Sequence, residues 1–261
     1  MNLGMILYII IIGLLFVNVM WVGRRMIHFI RSQVRRKVVI PMCSLQELDP
    51  IFYPGEFGLT PATEVHFISK GNMVILGTVK DLEAWVLSVL AKKAKRIFEF
   101  GTCTGRTTYL LARNSPADAS VTTMTLPPAD KDKYAAEQGD DAVAMRHALA
   151  ESVHTKFFYS GTMVEPKIKQ LFMDSKHFDE TLYVDSCDLI FVDGSHAYSY
   201  VKSDTLKALR MLKPGGVLLW HDYHLAPGVT EGVYRALNEL FKQYSLKHVS
   251  GTSFVTYRKP A

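Results

Sequence analysis

Residues 96–109 read Arg-Ile-Phe-Glu-Phe-Gly-Thr-Cys-Thr-Gly-Arg-Thr-Thr-Tyr, an apolar strand that breaks on glycine and restarts as a helix. Ile97, Phe98 and Phe100 supply the buried strand. Gly101 and Gly105 remove Cβ atoms where backbone and ligand must approach closely. Thr104 is placed to cap the helix that follows, and the free N–H groups of a helix start favour anionic or strongly polar ligand groups. The Gly-x-x-x-Gly spacing lacks the third glycine of a dinucleotide fingerprint and the Gly-Lys-Ser/Thr ending of a P-loop, so a diphosphate is not the expected ligand. A tight connection without a ligand would use the same turn.

Outward from this turn, strands and helices alternate. Leu82, Trp85, Val86, Val89 and Leu90 recur at three-four spacing and predict a helix over 81–95. A helix is expected over 106–113, then a strand over 120–124 that Thr125-Leu126-Pro127-Pro128 stops. A helix over 141–154 and a short third strand over 157–159, ending at Ser160-Gly161, come next. Asp188-Leu-Ile-Phe-Val-Asp193 is a continuous apolar run closed by acids, as in a strand buried on both faces of a parallel sheet. Gly194-Ser195-His196 leads into a helix over 199–212, Lys213-Pro-Gly-Gly216 ends it, and 217–220 is the next strand. A helix over 229–243 and a hairpin of 247–250 with 253–257 close the chain. The pattern predicts an α/β fold with a doubly wound, mostly parallel sheet.

The 261 residues allow one such domain plus an appendage, which lies at the front. Residues 3–22 hold no charged side chain, and about 20 apolar residues make roughly 30 Å of helix, enough to span a bilayer core. A secretory signal peptide is disfavoured, because the basic cluster follows the apolar run and no small-x-small cleavage site appears. The expected organisation is a transmembrane anchor at 1–23, a basic juxtamembrane segment and proline-rich linker at 24–60, and the globular domain at 61–261. Arg24, Arg25, Arg31, Arg35, Arg36 and Lys37 precede the first acid, Glu47, so the positive-inside rule predicts a single-pass membrane protein with its N-terminus outside and its catalytic domain cytoplasmic. Residues 26–34 alternate basic and apolar side chains and would also suit anionic headgroups. A membrane-protein partner is a further expectation for an anchored chain.

The whole sequence carries 30 Lys and Arg against 25 Asp and Glu, a net charge of +5. Without the six flanking charges, 24 basic residues face 25 acidic ones, a net of −1, and nothing in that balance points to nucleic acid. Cys43, Cys103 and Cys187 are odd in number and scattered, against a disulfide framework or a zinc site. Cys103 reads as a reactive thiol or as a small residue filling the turn.

Ligands of open parallel sheets bind outside the carboxyl ends of the strands, so the residues that end each strand carry the information. Here they are Glu99, Thr125, Ser160, Asp193, His221 and Asp222. Glu99 can accept from a cationic or hydroxyl-bearing ligand, and S-adenosylmethionine has both an amino group and a ribose. Asp193, His196, His221 and Asp222 gather after two strands expected to be neighbours about 4.8 Å apart. Asp193, His221 and Asp222 can bind a divalent metal ion, or His196 or His221 can take a proton from a hydroxyl nucleophile. A structural reading has Asp193 capping a turn and Asp222 holding a loop. Tyr198, Tyr200, Tyr223 and His224 flank the group and would line a pocket for a small-molecule acceptor.

Phe98-Glu-Phe-Gly-Thr-Cys-Thr-Gly-Arg-Thr-Thr108, Leu189-Ile-Phe-Val-Asp-Gly-Ser-His-Ala-Tyr198 and Leu212-Lys-Pro-Gly-Gly-Val-Leu-Leu-Trp-His-Asp-Tyr223 together resemble the class I S-adenosylmethionine-dependent methyltransferases, within them methyltransferase family 24. The similarity covers about residues 80–245 and implies the Rossmann-like fold of that class. It implies that Glu99, Gly101, Thr102, Gly105, Thr125, Ser160 and Asp193 surround the cofactor, and that Asp193, His196, His221 and Asp222 are catalytic. Some related sugar O-methyltransferases hold magnesium at positions matching Asp193, His221 and Asp222, and His221 departs from the acid found there. Thr125 stands where the class carries an acid for the ribose hydroxyls, a loss of about 1 to 2 kcal/mol, roughly tenfold in affinity. The expected function is membrane-anchored O-methylation of a small-molecule, sugar or lipid-linked acceptor. The alternatives are a catalytically weakened module acting as a membrane-tethered binding or assembly subunit and, disfavoured by the missing glycine, a nicotinamide-dependent oxidoreductase.

Overall fold

Strands rich in Val, Ile, Leu and Phe build an eight-stranded sheet in the order β1-β7-β8-β6-β5-β2-β3-β4. The strands are β1 (Met42–Cys43), β2 (Arg96–Phe100), β3 (Ser120–Thr125), β4 (Ile168–Phe172), β5 (Cys187–Val192), β6 (Leu212–Trp220), β7 (Lys247–Val249) and β8 (Val255–Arg258). Pairing is parallel from β4 through β6, while β8 runs antiparallel to both β6 and β7. The computed structural model describes residues 3–35 and 39–261, with side chains described at 4–5, 12–26 and 39–261.

Two compact units result, Met1–Val39 and Ile40–Ala261. The first holds helix α1 (Leu3–Arg35). Asn18, the strongly polar residue of the apolar stretch, donates from Nδ2 to the Leu14 carbonyl one turn back, at 2.9 Å. Among the described residues, no helix is long and apolar enough to cross a membrane. The expected span at 3–22 includes residues 6–11, whose side chains lie outside the described residues, as do those of Arg31, Arg35, Arg36 and Lys37 and most of the 26–34 stretch.

In the second unit the helices are α2 (Leu45–Leu48), α3 (Asp81–Ala91), α4 (Arg106–Asn114), α5 (Ala142–Glu151), α6 (Tyr198–Met211) and α7 (Glu231–Leu240). Alternation along each strand sends side chains to opposite faces. Ile97, Leu189 and Phe191 pack with Val86, Leu87, Leu90, Leu110 and Leu111 of α3 and α4. Phe98, Phe100, Ile190 and Val192 pack with Val201, Met211, Val233 and Leu237 of α6 and α7. Each fully buried Phe or Leu stabilises the domain by about 1.5–3 kcal/mol, so coverage of both faces carries the fold. Glu99 shares the parity of Ile97 and is thereby carried under α4.

Three sequence expectations change. Residues 157–159 are a turn, and the third parallel strand is β4, at the edge of the sheet. Phe157 and Tyr159 stack at 5.3 Å beside Gly105, where the pair fills the space a Cβ would need. The edge strand reads Ile-Lys-Gln-Leu-Phe, too polar to announce itself as buried. Secondly, the expected linker is built into the domain from residue 40. Ile40, Cys43, Leu48 and Phe52 are buried, β1 pairs with β7, and the Ile40 N–H donates to the Tyr223 hydroxyl at 3.3 Å. Prolines at 41, 50 and 54 mask this apolar pattern. Thirdly, Lys213-Pro-Gly-Gly216 opens β6, which follows α6 directly.

The chain reverses direction across the sheet between β2 and β5, and there Gly101 (φ +100°) lies against Asp193, so that a Cβ would fall on the Asp193 carbonyl. Gly215 (φ +77°) has nothing within 4 Å of the same position. Gly101→Ala is expected to cost about 3–5 kcal/mol in urea unfolding, the sum of overlap and strained backbone, whereas Gly215→Ala loses about 1 kcal/mol from backbone strain alone.

Candidate active site

The sheet sets the site by ending β5 and β6 side by side, Val192 opposite Trp220, so that Asp193 and His221-Asp222 emerge together. His221 is the hub. Its Nδ1 lies 2.9 Å from Asp193 Oδ1 and 3.2 Å from Asp222 Oδ2, and its Nε2 lies 3.3 Å from Glu83 Oε2. His196, after β5, places Nε2 2.9 Å from Asp222 Oδ2. A carboxylate only accepts, so His196 carries its proton on Nε2 toward Asp222. Its buried Nδ1 has no hydrogen-bond partner among the described residues, and its ring stacks on His147 of α5 at 5.3 Å. Asp222 sits at φ +59°, a left-handed conformation of the kind held at functional sites.

Burial works against charge on both imidazoles, but the carboxylates outweigh it. The pKa of His221 lies well above 6.5, through Asp193, Asp222 and Glu83, and that of His196 is raised by Asp222, Asp193 and Glu151. In return, hydrogen bonding and charge from His221 override the burial of Glu83 and hold it at about 2, while His196 and His221 hold Asp222 far below its usual value. Burial raises Asp193.

Metal binding is tested by the same geometry. Asp193, His196 and Asp222 offer ligand atoms within 4.8 Å of one another, and of the expected set His221 Nδ1 lies 2.9 Å from Asp193 Oδ1 and 3.2 Å from Asp222 Oδ2. His221 turns its second nitrogen to Glu83. Both aspartates already face imidazoles that supply positive charge, and a divalent ion would have to displace those hydrogen bonds. Asp193, His196 and Asp222 are a donor set suited to a divalent ion, and the same groups hydrogen bond within the cluster.

Beside the cluster opens a cavity of about 570 Å³, counted with its open mouth. Gly101, Thr125 and Asp193 line it with Phe100, Cys103, Met124, Leu126, Tyr134, Ser195 and Tyr200. Its charged lining is Glu151, Asp174, Asp193 and Asp204, with no Lys, Arg or His. Burial pushes Glu151 and Asp204 up to about 7, so both resist ionising until a cation arrives. Such a wall repels phosphates and fits an ammonium or sulfonium group.

Glu99, Thr102, Gly105 and Ser160 serve the cavity from behind. Thr108 and Thr123 donate to Glu99, the latter at 2.6 Å, which ties the glycine turn to the sheet. Thr102 meets Thr123 at 2.8 Å and Gln170 at 3.1 Å. Ser160 accepts from the Phe157 N–H at 3.1 Å, closing the turn that replaces the expected strand. Thr104 does not cap α4, because Gly105 takes the N-cap position and the Thr104 hydroxyl is buried without a partner. Cys103 is held at φ +42° beside Gly77, and burial pushes its thiol up to about 12, so it fills the turn and is unreactive. Of the expected acceptor aromatics, Tyr200 lines the cavity, Tyr223 donates to Asn238 in the core at 3.1 Å, and Tyr198 donates to Glu239 at 2.5 Å.

With this geometry the sequence similarity becomes specific: a family described as Methyltransferase domain matches residues 98–223, from the glycine turn through Asp222-Tyr223. Over those residues the chain is similar to a methyltransferase domain. Solved structures similar to it include the O-methyltransferase TomG from Streptomyces achromogenes in complex with S-adenosylmethionine, at 19% identity over 70% of this chain and 82% of that one, TM-score 0.47. Another is the S-adenosylhomocysteine-bound Podospora anserina methyltransferase PaMTH1, at 17% identity over 71% and 80%, TM-score 0.49. An S-adenosylmethionine-dependent O-methyltransferase from Thermotoga maritima is 17% identical over 70% and 67%, TM-score 0.45. No curated protein matches the chain.

Sequence reading missed Glu83, Glu151, Asp174 and Asp204. Glu83 does carry a signal, since it falls with Val86, Leu87 and Leu90 on the buried face of α3, while the expected Leu82 is exposed. Asp174 was hidden with β4, which it follows.

Glu99 is 1% exposed and burial pushes it up to about 8, against 4.5 for a free glutamate. The folded state then binds more protons than the unfolded one between those values, so stability falls as pH rises from 5 to 8. Glu99→Gln, which mimics the protonated acid, is expected to flatten this loss when urea midpoints at pH 5 and pH 8 are compared.

Proposed function

We propose that this methyltransferase transfers a methyl group from S-adenosylmethionine, held in the acidic cavity, to a hydroxyl oxygen of a small acceptor, with His196 as general base. One observation carries the reading: His196 is fixed by Asp222 through Nε2, stands close to the cavity-lining Asp193, and keeps a buried Nδ1 with no hydrogen-bond partner among the described residues. When bound, the cofactor supplies an electrophilic methyl on a sulfonium that leaves readily. Asp222 sets the tautomer, and Nδ1 takes the acceptor's hydroxyl proton as the oxygen becomes the nucleophile. His221, held between Asp193, Asp222 and Glu83, keeps Asp222 in place and balances its charge. The cavity carboxylates favour the positive charge of the cofactor, while its walls orient it, the largest contribution open to a protein whose electrophile is already activated.

Thr125 supports the alternative of a weakened module, because it offers the ribose one hydroxyl where a carboxylate would accept two hydrogen bonds. Membrane attachment through residues 3–22, with the catalytic domain on the cytoplasmic side, is part of the proposal and rests on the charge-free apolar stretch and its six-charge flank. That location favours a lipid-linked or glycan-precursor acceptor. Alkaline carbonate extraction of membranes tests the anchor: the full chain is expected in the pellet and a chain from residue 38 in the supernatant.

His196→Ala is expected to lower kcat about 10²- to 10³-fold with S-adenosylmethionine affinity unchanged in calorimetry. In the unaltered enzyme kcat/KM rises with pH through a midpoint above 6.5, because His196 acts only when neutral and its pKa is raised. Asp222→Asn removes the main raising partner and is expected to shift that midpoint down while slowing turnover. Chelation by EDTA leaves the rate unchanged if protons complete the cluster; loss of activity with EDTA and recovery with a divalent ion would overturn that part.

A further inference from the structure

The chain ahead of α3 closes on itself. Ser69 donates its hydroxyl, and Lys70 its N–H at 2.9 Å, to the Asp81 carboxylate, so the two ends of residues 69–81 meet at a neck. Arg106 of α4 holds the same neck from outside, donating to the carbonyls of Ile68 at 2.8 Å and Ser69 at 3.0 Å. Past its tip the loop returns through Gly77, which packs so closely that a Cβ there would overlap the Cys103 side chain, with Glu151 just beyond. Cys103 and Glu151 both line the cavity. The loop is thus a compact closed one, fastened beside the cavity, of the kind that often carries function.

The tip is apolar and faces water. Asn72-Met73-Val74-Ile75-Leu76 lies between Gly71 at φ +54° and Gly77 at φ +61°, and no charged residue occurs from 71 to 79. Met73 is 61% exposed, Leu76 46% and Val74 fully, with Ile75 partly buried between them. Single exposed apolar residues are ordinary, but an unbroken run of four on a fastened loop marks a contact with something apolar. Lys70 and Lys80 stand at the two feet of the loop, on either side of the charge-free stretch. Cation, apolar tip, cation is the order that suits a headgroup layer above hydrocarbon.

We propose that residues 73–76 insert into the bilayer surface and hold this side of the cavity against the membrane. This docking rests on the membrane attachment through residues 3–22 proposed above and adds to it the face that the domain presents. The bilayer is the occupant that the chain itself brings. Residues 23–39 separate the apolar stretch from Ile40, at most about 60 Å of extended chain. Docking is then intramolecular, so a four-residue tip suffices without the affinity that a free protein would need. A lipid-linked acceptor would reach the cavity from the membrane without first crossing water.

The test uses the full-length chain reconstituted in phosphatidylcholine vesicles. An environment-sensitive fluorophore is attached at Val74→Cys and, as a control, at Leu182→Cys, also exposed but just ahead of β5, at the amino ends of the strands. The native Cys43 and Cys187 are buried and Cys103 is unreactive, so the label goes to the introduced thiol. The expected result is a blue-shifted emission at residue 74 that acyl-brominated lipid quenches, with neither effect at residue 182. Adding Met73→Asp is expected to remove most of the shift and to leave the melting temperature unchanged, since the tip is exposed. Raised salt is expected to leave the shift intact, because the tip is uncharged; its loss would show attraction through the lysines alone and overturn insertion. Matching emission at 74 and 182 overturns the proposal. A shift at 74 that brominated lipid does not quench assigns the tip to a second copy of the chain and overturns it as well. Alkaline carbonate treatment of the same vesicles separates the two readings. A pelleted chain with a water-exposed label at 74 refutes the loop alone, whereas release into the supernatant refutes the anchor on which the docking rests.

Discussion

The close contact of Gly101 with the Asp193 carbonyl, where the chain changes direction across the sheet, is the constraint on which the rest of the structure depends. It brings the ends of β2 and β5 together, and each end carries half of the site. The glycine turn leads into α4 on one side, and Asp193 and His196 rise from the other. Any side chain at residue 101 would wedge these ends apart, and the cavity opens at their junction. Glu99, tied to Thr108 and Thr123 beneath the turn, holds it from below.

Charge is distributed around this junction with a consistent sign. The cavity wall is acidic, with Glu151 and Asp204 kept reluctant to ionise by burial, and the adjacent cluster sets two imidazoles against Glu83 and Asp222, which do ionise. A cationic ligand and a proton acceptor thus have neighbouring places prepared for them. His221 stabilises its surroundings by meeting three carboxylates at once, and His196 keeps one nitrogen without a hydrogen-bond partner among the described residues.

The central strands were legible because burial on both faces leaves a continuous apolar run, as in Leu189 to Val192, and because glycine breaks that run at one place. The neighbouring ends of β5 and β6 followed from topology alone, which is why Asp193, His196, His221 and Asp222 could be grouped beforehand. The edge was not legible. Edge strands are half solvated, so β4 carries polar residues that hide it, and Phe157 to Tyr159 imitate a strand while serving as packing for Gly105. Glu99 was assigned to the ligand because it ends a strand, but strand parity sends it under α4. Buried acids on helices, Glu83 and Asp204, escaped for a related reason: sequence reading assigns charged residues to the solvent face, and only packing shows when one has been turned inward.

The fastening of the domain's first residues has a mechanical consequence. Ile40 donates its N–H to the hydroxyl of Tyr223, and Met42–Cys43 are laced along β7 as a parallel strand. A pull on the chain ahead of Ile40 therefore loads that strand lengthwise, in shear across several hydrogen bonds at once, rather than peeling them singly. Tyr223 is also the residue after Asp222, so the load path from Ile40 runs to within one peptide unit of the acid that hydrogen bonds to His196. The first residues of the domain and the acid beside His196 thus share a joint at Tyr223.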